Sequence, residues 1–196
     1  MTILKASELA FDPREQMGRI FAHGFYDHGL HALSKDKAVL AKAFEHVFDL
    51  DKFYVAVEDG VIMGFVGCSD KKPAPIKPDK KIFVEHFGFL RGNIGFKMVD
   101  KYMVNNKYPF ELTPQTGSID FVATAPEHMG KGVGFSLLSQ VMDDSPFSEH
   151  VLEVLDTNTS AVRLYEKLGF REVKRAIAPK GSGAKYFVYM RRVSND

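Results

Sequence analysis

A glycine-rich turn constrains the fold of this chain more than any other feature of its sequence. The turn reads APEHMGKGVG over residues 125–134, with glycines at positions 130, 132 and 134. The apolar residues 118–124 before it predict a strand, and the pattern over 132–142 predicts a helix. The chain therefore passes from a strand into a helix here, as it does in folds where helices pack on a sheet.

The same turn has the chemistry of an anion site. The start of a helix leaves several backbone N–H groups unpaired, and their partial positive charge favours a bound anion. Glycines permit close approach and positive φ angles, and Lys131 adds a full charge. The pattern matches neither a P-loop nor the dinucleotide fingerprint, whose glycines directly follow the strand. The alternative is a turn whose glycines only permit a tight bend and close helix packing.

The remaining segments alternate between strand and helix patterns. Further strands are predicted at 53–57, 61–68, 150–155, 172–177 and 185–191. Further helices are predicted after Asp12, after Ser34 and over 160–168. This order predicts an α/β (α+β) fold in which helices flank a mixed sheet.

The segment 81–104 has helical spacing but is interrupted by glycines. Its apolar stripe consists of Phe83, Phe87, Leu90, Ile94 and Met98. Glycines at 88, 92 and 95 predict either a bent helix or two short helices. We expect the stripe to pack on the sheet of the same chain, and the alternative is a surface that meets a partner.

Composition excludes several classes of protein. The chain has 196 residues, which suits one domain over 1–196, and a net charge of +1, which gives no case for nucleic acid or an anionic membrane as partner. Its one cysteine, Cys68, excludes an internal disulfide and fits a reducing compartment. No signal-peptide pattern and no apolar run of about 20 residues are present. We therefore expect a cytoplasmic protein.

Two motifs resemble those of the GNAT superfamily of N-acetyltransferases. Residues 119–138, IDFVATAPEHMGKGVGFSLL, resemble its acetyl-CoA-binding motif, and residues 152–170, LEVLDTNTSAVRLYEKLGF, resemble its second motif. The resemblance implies a mixed, mostly antiparallel central sheet flanked by helices. It also marks 69–117 as longer than the usual connection, with a helical insertion at about 80–110 before the central strand.

The resemblance implies that acetyl-CoA is the co-substrate, held where two central parallel strands splay apart. Val122, Ala123 and Thr124 would face its pantetheine arm and acetyl group. Backbone N–H groups of the turn would hold the pyrophosphate, at Met129, Gly130, Lys131, Gly132, Val133, Gly134 and Phe135. Met129 stands where the family usually carries arginine or glutamine. Asn158 would cap a helix or bond the pantetheine, and Lys131 would reach a phosphate oxygen or remain solvated.

Attack of an amine on a thioester requires a base, an oxyanion donor and an acid. By position in the family, Tyr165 is the candidate acid and the Ala123 N–H the candidate oxyanion donor; the alternative for Tyr165 is packing on the sheet. Asp120 is the candidate base because strand alternation places it on the side of Val122 and Thr124. Glu153 is a weaker candidate, and a water chain is the alternative to both.

The acceptor is predicted only by class, as a primary amine of a small molecule or peptide. Phe25, Tyr26 and His28 lie where family members often form the acceptor pocket. We expect no metal, because His28 and His31 are separated by Gly29 and have no third ligand at a suitable spacing. The protein is expected to be a monomer or homodimer. The rival prediction is a non-catalytic acyl-CoA-binding or regulatory module on the same fold.

Overall fold

The computed structural model describes residues 1–70, 74–179 and 182–193. Its strands are β1 (Thr2–Lys5), β2 (Phe53–Glu58), β3 (Val61–Asp70), β4 (Thr116–Thr124), β5 (Glu149–Leu155), β6 (Arg171–Ile177) and β7 (Tyr186–Val193). Its α-helices are α1 (Arg14–Gly24), α2 (Lys37–Phe44), α3 (Lys80–Phe87), α4 (Phe89–Val99), α5 (Val133–Asp144) and α6 (Thr159–Lys167). A π-helical turn, Asp100–Val104, extends α4.

The strands form one sheet in the order β1-β2-β3-β4-β5-β7-β6. The pairing of β4 with β5 is parallel, and the other pairings in this sheet are antiparallel. The prediction of a mixed, mostly antiparallel sheet flanked by helices is therefore confirmed. The closing pair β6 and β7 is antiparallel as expected, with β7 between β5 and β6.

Each face of the sheet carries its own apolar cluster. The first cluster joins α1 and α2 to the sheet through packed phenylalanine rings, among them Phe21, Phe44 and Phe53. The second joins α5 and α6 to the opposite face through residues such as Leu137, Leu138 and Tyr165. Burial of each such side chain contributes about 1.5–3 kcal/mol, so the two clusters fix the central strands from both sides.

The segment predicted as a helical insertion forms two short helices, one of the two predicted arrangements. Gly88, with φ +78°, separates α3 from α4. Gly92 does not break its helix: a Cβ there would lie 2.5 Å from the Val84 Cα, so it permits the two helices to approach closely. The predicted packing of the whole stripe is wrong. Phe83 is buried, whereas Leu90, Ile94 and Met98 are exposed.

The central strands separate soon after they meet. The parallel register between β4 and β5 runs from Thr116 opposite Glu149 to Ser118 opposite Val151. Both strands continue beyond it, β4 to Thr124 and β5 to Leu155. A V-shaped gap therefore opens toward the ends of the strands that lead into α5 and α6.

A bulge in β4 changes the alternation of its side chains. Phe121 has φ +52°, and it shares with Val122 the place opposite Val66. Ile119 and Val122 consequently pack in the same cluster, whereas Phe121 and Ala123 belong to the other. The prediction that Asp120 lies on the side of Val122 and Thr124 is wrong, because strict alternation does not survive a bulge.

Within the described residues, none of the helices combines the length and the apolar character needed to cross a bilayer.

Candidate active site

A cavity of about 1130 Å³ occupies the gap between β4 and β5 and continues to the end of α1 and to the π-helical turn. Its lining includes most of the residues predicted from sequence: Phe25, His28, Asp120, Val122, Ala123, Thr124, Met129, Gly130, Gly132, Val133, Gly134, Phe135, Asn158 and Tyr165. Tyr26 and Lys131 were predicted as well but do not belong to this lining.

The glycine turn presents unpaired N–H groups at the start of α5. Gly130 and Gly132 have φ +74° and +82°, and an added Cβ at either would meet nothing within 4 Å. Glycine is therefore required here by the backbone angle, and the space above the turn stays open. No side chain caps α5 at Gly132, and the first hydrogen bond of the helix comes from Ser136 N–H to Gly132 O at 3.0 Å.

Two N–H groups of the turn are used within it. Met129 N–H donates to Pro126 O at 3.3 Å, and Lys131 N–H donates to His128 O at 3.4 Å. In the described part of the chain, backbone partners are not found for the N–H groups of Gly130, Gly132, Val133, Gly134 and Phe135. Five donors at one helix start form an anion cradle that matches a pyrophosphate.

The hydrogen-bond pattern of β4 decides which N–H groups face the gap. Ala125 N–H donates to Met63 O of β3 at 2.9 Å. N–H directions alternate along an antiparallel strand, so Ala123, opposite Phe65, also directs its N–H toward β3. The N–H groups of Val122 and Thr124 consequently point into the gap.

Tyr165 and Asn158 lie on the α6 side of the cavity. Tyr165 is 6% exposed, and burial raises the pKa of its phenol above the usual value, so the group stays protonated at neutral pH. Asn158 Oδ1 accepts a hydrogen bond from Ala161 N–H at 3.3 Å and so caps α6. One of the two predicted roles of Asn158 is thus observed, and its side-chain amide remains at the cavity wall.

Two carboxyl groups meet at the narrow end of the gap. Asp120 and Glu153 each lie two residues beyond the last β4–β5 pair, Ser118 opposite Val151, and both line the cavity. Burial raises the pKa of Asp120 to about 6, and a hydrogen bond from the Ser118 hydroxyl opposes this shift. Burial raises the pKa of Glu153 to about 7; the charge of Asp120 adds to the shift, and hydrogen bonds from Asn106 and Tyr189 oppose it.

The residues that hold this pair were not identified from the sequence. Asn106 Nδ2 donates to Glu153 Oε2 at 2.6 Å, and the hydroxyl groups of Tyr108 and Ser118 are 2.9 Å apart. Tyr189 on β7 stands directly opposite Glu153 on β5. Strand alternation could have predicted that Ser118 lies on the same side of β4 as Asp120. The positions of Asn106, Tyr108 and Tyr189 could not be predicted, because no motif contains them.

The end of α1 forms the opposite wall of the cavity. Phe25 packs against Phe21 and Phe121, with ring centroids 4.6 and 6.0 Å apart. His28 lies beside Phe25, and burial lowers the pKa of its imidazole against the opposing charge of Asp27. Tyr26 instead donates a hydrogen bond to the Lys35 carbonyl at 3.2 Å, so its hydroxyl supports the fold.

Among the residues that the structure describes, no group of three or more histidine, cysteine or carboxylate side chains is placed to hold a metal ion.

A long gap between strands suits an extended ligand with a phosphate group at one end and a reactive group at the other. The anion cradle lies at the open end, and the carboxyl pair lies at the narrow end. This arrangement is the one that the resemblance to the GNAT motifs implies for a coenzyme A-dependent acyltransferase.

The family follows from comparison with known proteins. The model of the acetyltransferase (GNAT) family matches residues 15–170, so this chain belongs to the GNAT acetyltransferases. The predictions of an N-acetyltransferase and of acetyl-CoA as its co-substrate are confirmed at that level. Sequence comparison with curated proteins gave no match.

Solved structures share the fold at low sequence identity. An N-acetyltransferase from Staphylococcus aureus Mu50 aligns with TM-score 0.64 and 12% identity, over 97% of this chain and 100% of that one. The protein smu.2055 from Streptococcus mutans UA159 aligns with TM-score 0.59 and 19% identity, over 98% and 99%. The ribosomal-protein-S18-alanine N-acetyltransferase from Escherichia coli aligns with TM-score 0.55 and 16% identity, over 100% and 95%.

Proposed function

We propose that the protein transfers the acetyl group of acetyl-CoA to a primary amine by direct attack in a ternary complex. The observation that carries this proposal is the carboxyl pair of Asp120 and Glu153 at the narrow end of the gap. An amine of pKa about 10.4 arrives as an ammonium ion and must lose a proton before it can attack. A buried pair of carboxyl groups both attracts that cation and accepts its proton.

The two carboxyl groups have different roles in this proposal. Asp120 has the lower pKa, about 6, and is the anion that binds the ammonium. Glu153, with a pKa of about 7, is the base, because its pKa lies nearest to neutral pH and its carboxylate is held by Asn106. This assignment reverses the order of preference between Asp120 and Glu153 that the sequence suggested.

The N–H groups of β4 that face the gap are placed to donate hydrogen bonds to the oxyanion that forms on the acetyl carbonyl during attack. The Thr124 side chain lies near Gly134 and the anion cradle, so Val122 is the gap-facing residue nearer the carboxyl pair. We therefore assign the oxyanion to the Val122 N–H and not to the Ala123 N–H expected from the resemblance, because the Ala123 N–H is directed toward β3. The bulge at Phe121 sets the direction of this N–H group.

Tyr165 completes the proton balance. The amine nitrogen forms a bond to the acetyl carbon, the carbon–sulfur bond breaks, and the sulfur leaves with the electron pair of that bond. Tyr165 donates a proton to the sulfur, since its raised pKa keeps the phenol protonated until the thiolate develops. The amine nitrogen loses its second proton as the amide forms, and this proton restores the Tyr165 phenol, while the proton taken up by Glu153 is returned to solvent.

The pH dependence of kcat/KM tests the base. A base acts when deprotonated, so activity should rise as Glu153 ionises and fall below pH about 7. Glu153→Gln should lose this ionisation and about 10²- to 10⁴-fold in kcat. Asp120→Asn should keep the ionisation but move it to lower pH, because the charge of Asp120 raises the pKa of Glu153. An unchanged profile for Glu153→Gln would exclude Glu153 as the base.

A further inference from the structure

The part of the cavity next to the end of α1 and the π-helical turn, which we call the acceptor end, has apolar side chains in its wall. The segment after α1 contributes Leu30 and Leu33, and α4 with the π-helical turn contributes Met98 and Met103. Within the described lining, carboxylates occur at Asp120 and Glu153, and lysine and arginine are absent. Such a pocket anchors one ammonium group and favours a body that gains free energy by leaving water.

An exposed apolar ridge leads from the surface into this pocket. Leu90, Ile94, Met98 and Tyr102 recur at intervals of four residues, and we call them the α4 ridge. Their exposed fractions fall in that order: 70%, 51%, 41% and 36%. Met98 and Tyr102 also line the cavity, so the ridge is continuous with the acceptor site. At 1.5 Å per residue the ridge is roughly 18 Å long.

We propose that the acceptor is a small molecule in which a primary amine is carried on an elongated apolar group. Its amine lies between Asp120 and Glu153, and its tail follows the α4 ridge out of the cavity. This inference rests on the acetyl transfer proposed above. A peptide fits this surface less well, because each backbone amide laid on apolar side chains would need a hydrogen-bond partner.

A series of n-alkylamines from butylamine to decylamine tests the proposal with acetyl-CoA and the intact chain. Each methylene that enters an apolar contact should raise kcat/KM by about two- to fourfold. Octylamine should exceed 1,8-diaminooctane at least tenfold, since the two reach equally far but the diamine places a second charge on the ridge. Equal kcat/KM along the series, or a diamine as good as octylamine, would overturn the proposal.

Variants connect the chain-length dependence to the ridge. Ile94→Ser should lower kcat/KM severalfold for decylamine and leave butylamine unchanged, because Ile94 lies outside the cavity lining and only a long chain extends past Met98 to it. Val61→Ser is the matched control: Val61 is 47% exposed on the β2–β3 hairpin and does not line the cavity. An equal loss for both amines would contradict the proposed path of the tail.

Other occupants of the ridge give different results. Trileucine amide acetylated in preference to the alkylamines would assign the ridge to a peptide. Ile94→Ser converting a dimer to a monomer, with the chain-length dependence intact, would assign it to a second copy of this chain. Either result overturns the proposal. Good turnover of butylamine with no gain from longer chains would leave the acetyl transfer standing, whereas no turnover of any amine would remove both.

Discussion

At the scale of single residues, Tyr165 is the most direct test of the leaving-group step. Tyr165→Phe should lower kcat about 10²-fold or more, because only the hydroxyl donates the proton. The dissociation constant of acetyl-CoA should change little, since the ring still fills its buried place on α6. Single-turnover rates and equilibrium binding measure the two effects separately.

Tyr54 provides the matched control for Tyr165. It is a half-buried tyrosine on β2 whose pKa is also raised by burial, and it does not line the cavity. Tyr54→Phe should leave kcat unchanged. If Tyr165→Phe behaves like Tyr54→Phe, Tyr165 packs against the sheet and has no part in the reaction.

The site residues that could be predicted from the sequence are those that lie within the two motifs. Val122, Thr124, Asn158 and Tyr165 stand in two short motifs, and all four line the cavity. Tyr189 meets Glu153 only because β7 pairs with β5, which depends on the topology of the whole sheet. No spacing within one motif contains that information.

At the scale of elements, the turn before α5 should determine acetyl-CoA binding. Gly132→Asp should weaken the binding at least 100-fold, because its carboxylate would stand where the unpaired N–H groups hold an anion. The positive φ also costs about 1–2 kcal/mol of folding free energy for a residue with a Cβ. Calorimetric titration and thermal unfolding measure the two effects.

Gly60 offers the same strain away from the site. Its φ is +76°, and space above it is open. Gly60→Asp should therefore lower the unfolding temperature by a similar amount and leave acetyl-CoA affinity unchanged. Retained affinity in Gly132→Asp would place the pyrophosphate elsewhere.

Substitution of Met129 tests whether a cationic side chain at the turn would strengthen acetyl-CoA binding. Its N–H is already bonded to Pro126 O, and its side chain is 62% exposed at the cavity wall. Met129→Arg should bind acetyl-CoA about two- to fivefold more tightly at low ionic strength, and salt should reduce the gain. Ile177→Arg, which adds the same charge on β6 outside the cavity lining, controls for net charge. An equal gain in acetyl-CoA affinity in both variants would show that the added charge acts through the net charge of the protein and not at the turn.

The elements were predicted with unequal success for physical reasons. The helix break in the inserted segment follows from a glycine with positive φ at position 88. The exposure of Leu90, Ile94 and Met98 could not be foreseen, because periodicity shows that a face is apolar but not what covers it. The bulge at Phe121 likewise leaves no mark in an otherwise regular strand pattern.

At the scale of the whole molecule, the sheet places groups from distant segments around one gap. Asn106, Glu153 and Tyr189 come from a loop, a central strand and the last strand, and they form one hydrogen-bonded group. The fold class was predictable because two motifs, each a strand followed by a helix, leave few possible topologies. The acceptor was predictable only by class, because its pocket combines the end of α1 with the π-helical turn, two segments that are distant in the sequence.

The most direct test of the central claim is the release of free coenzyme A thiol from acetyl-CoA, measured with and without a primary amine. The proposed acetyl transfer predicts amine-dependent release, with one acetylated amine formed per thiol. Thermal stabilisation by acetyl-CoA without thiol release on any amine would contradict it and identify a non-catalytic acyl-CoA-binding module.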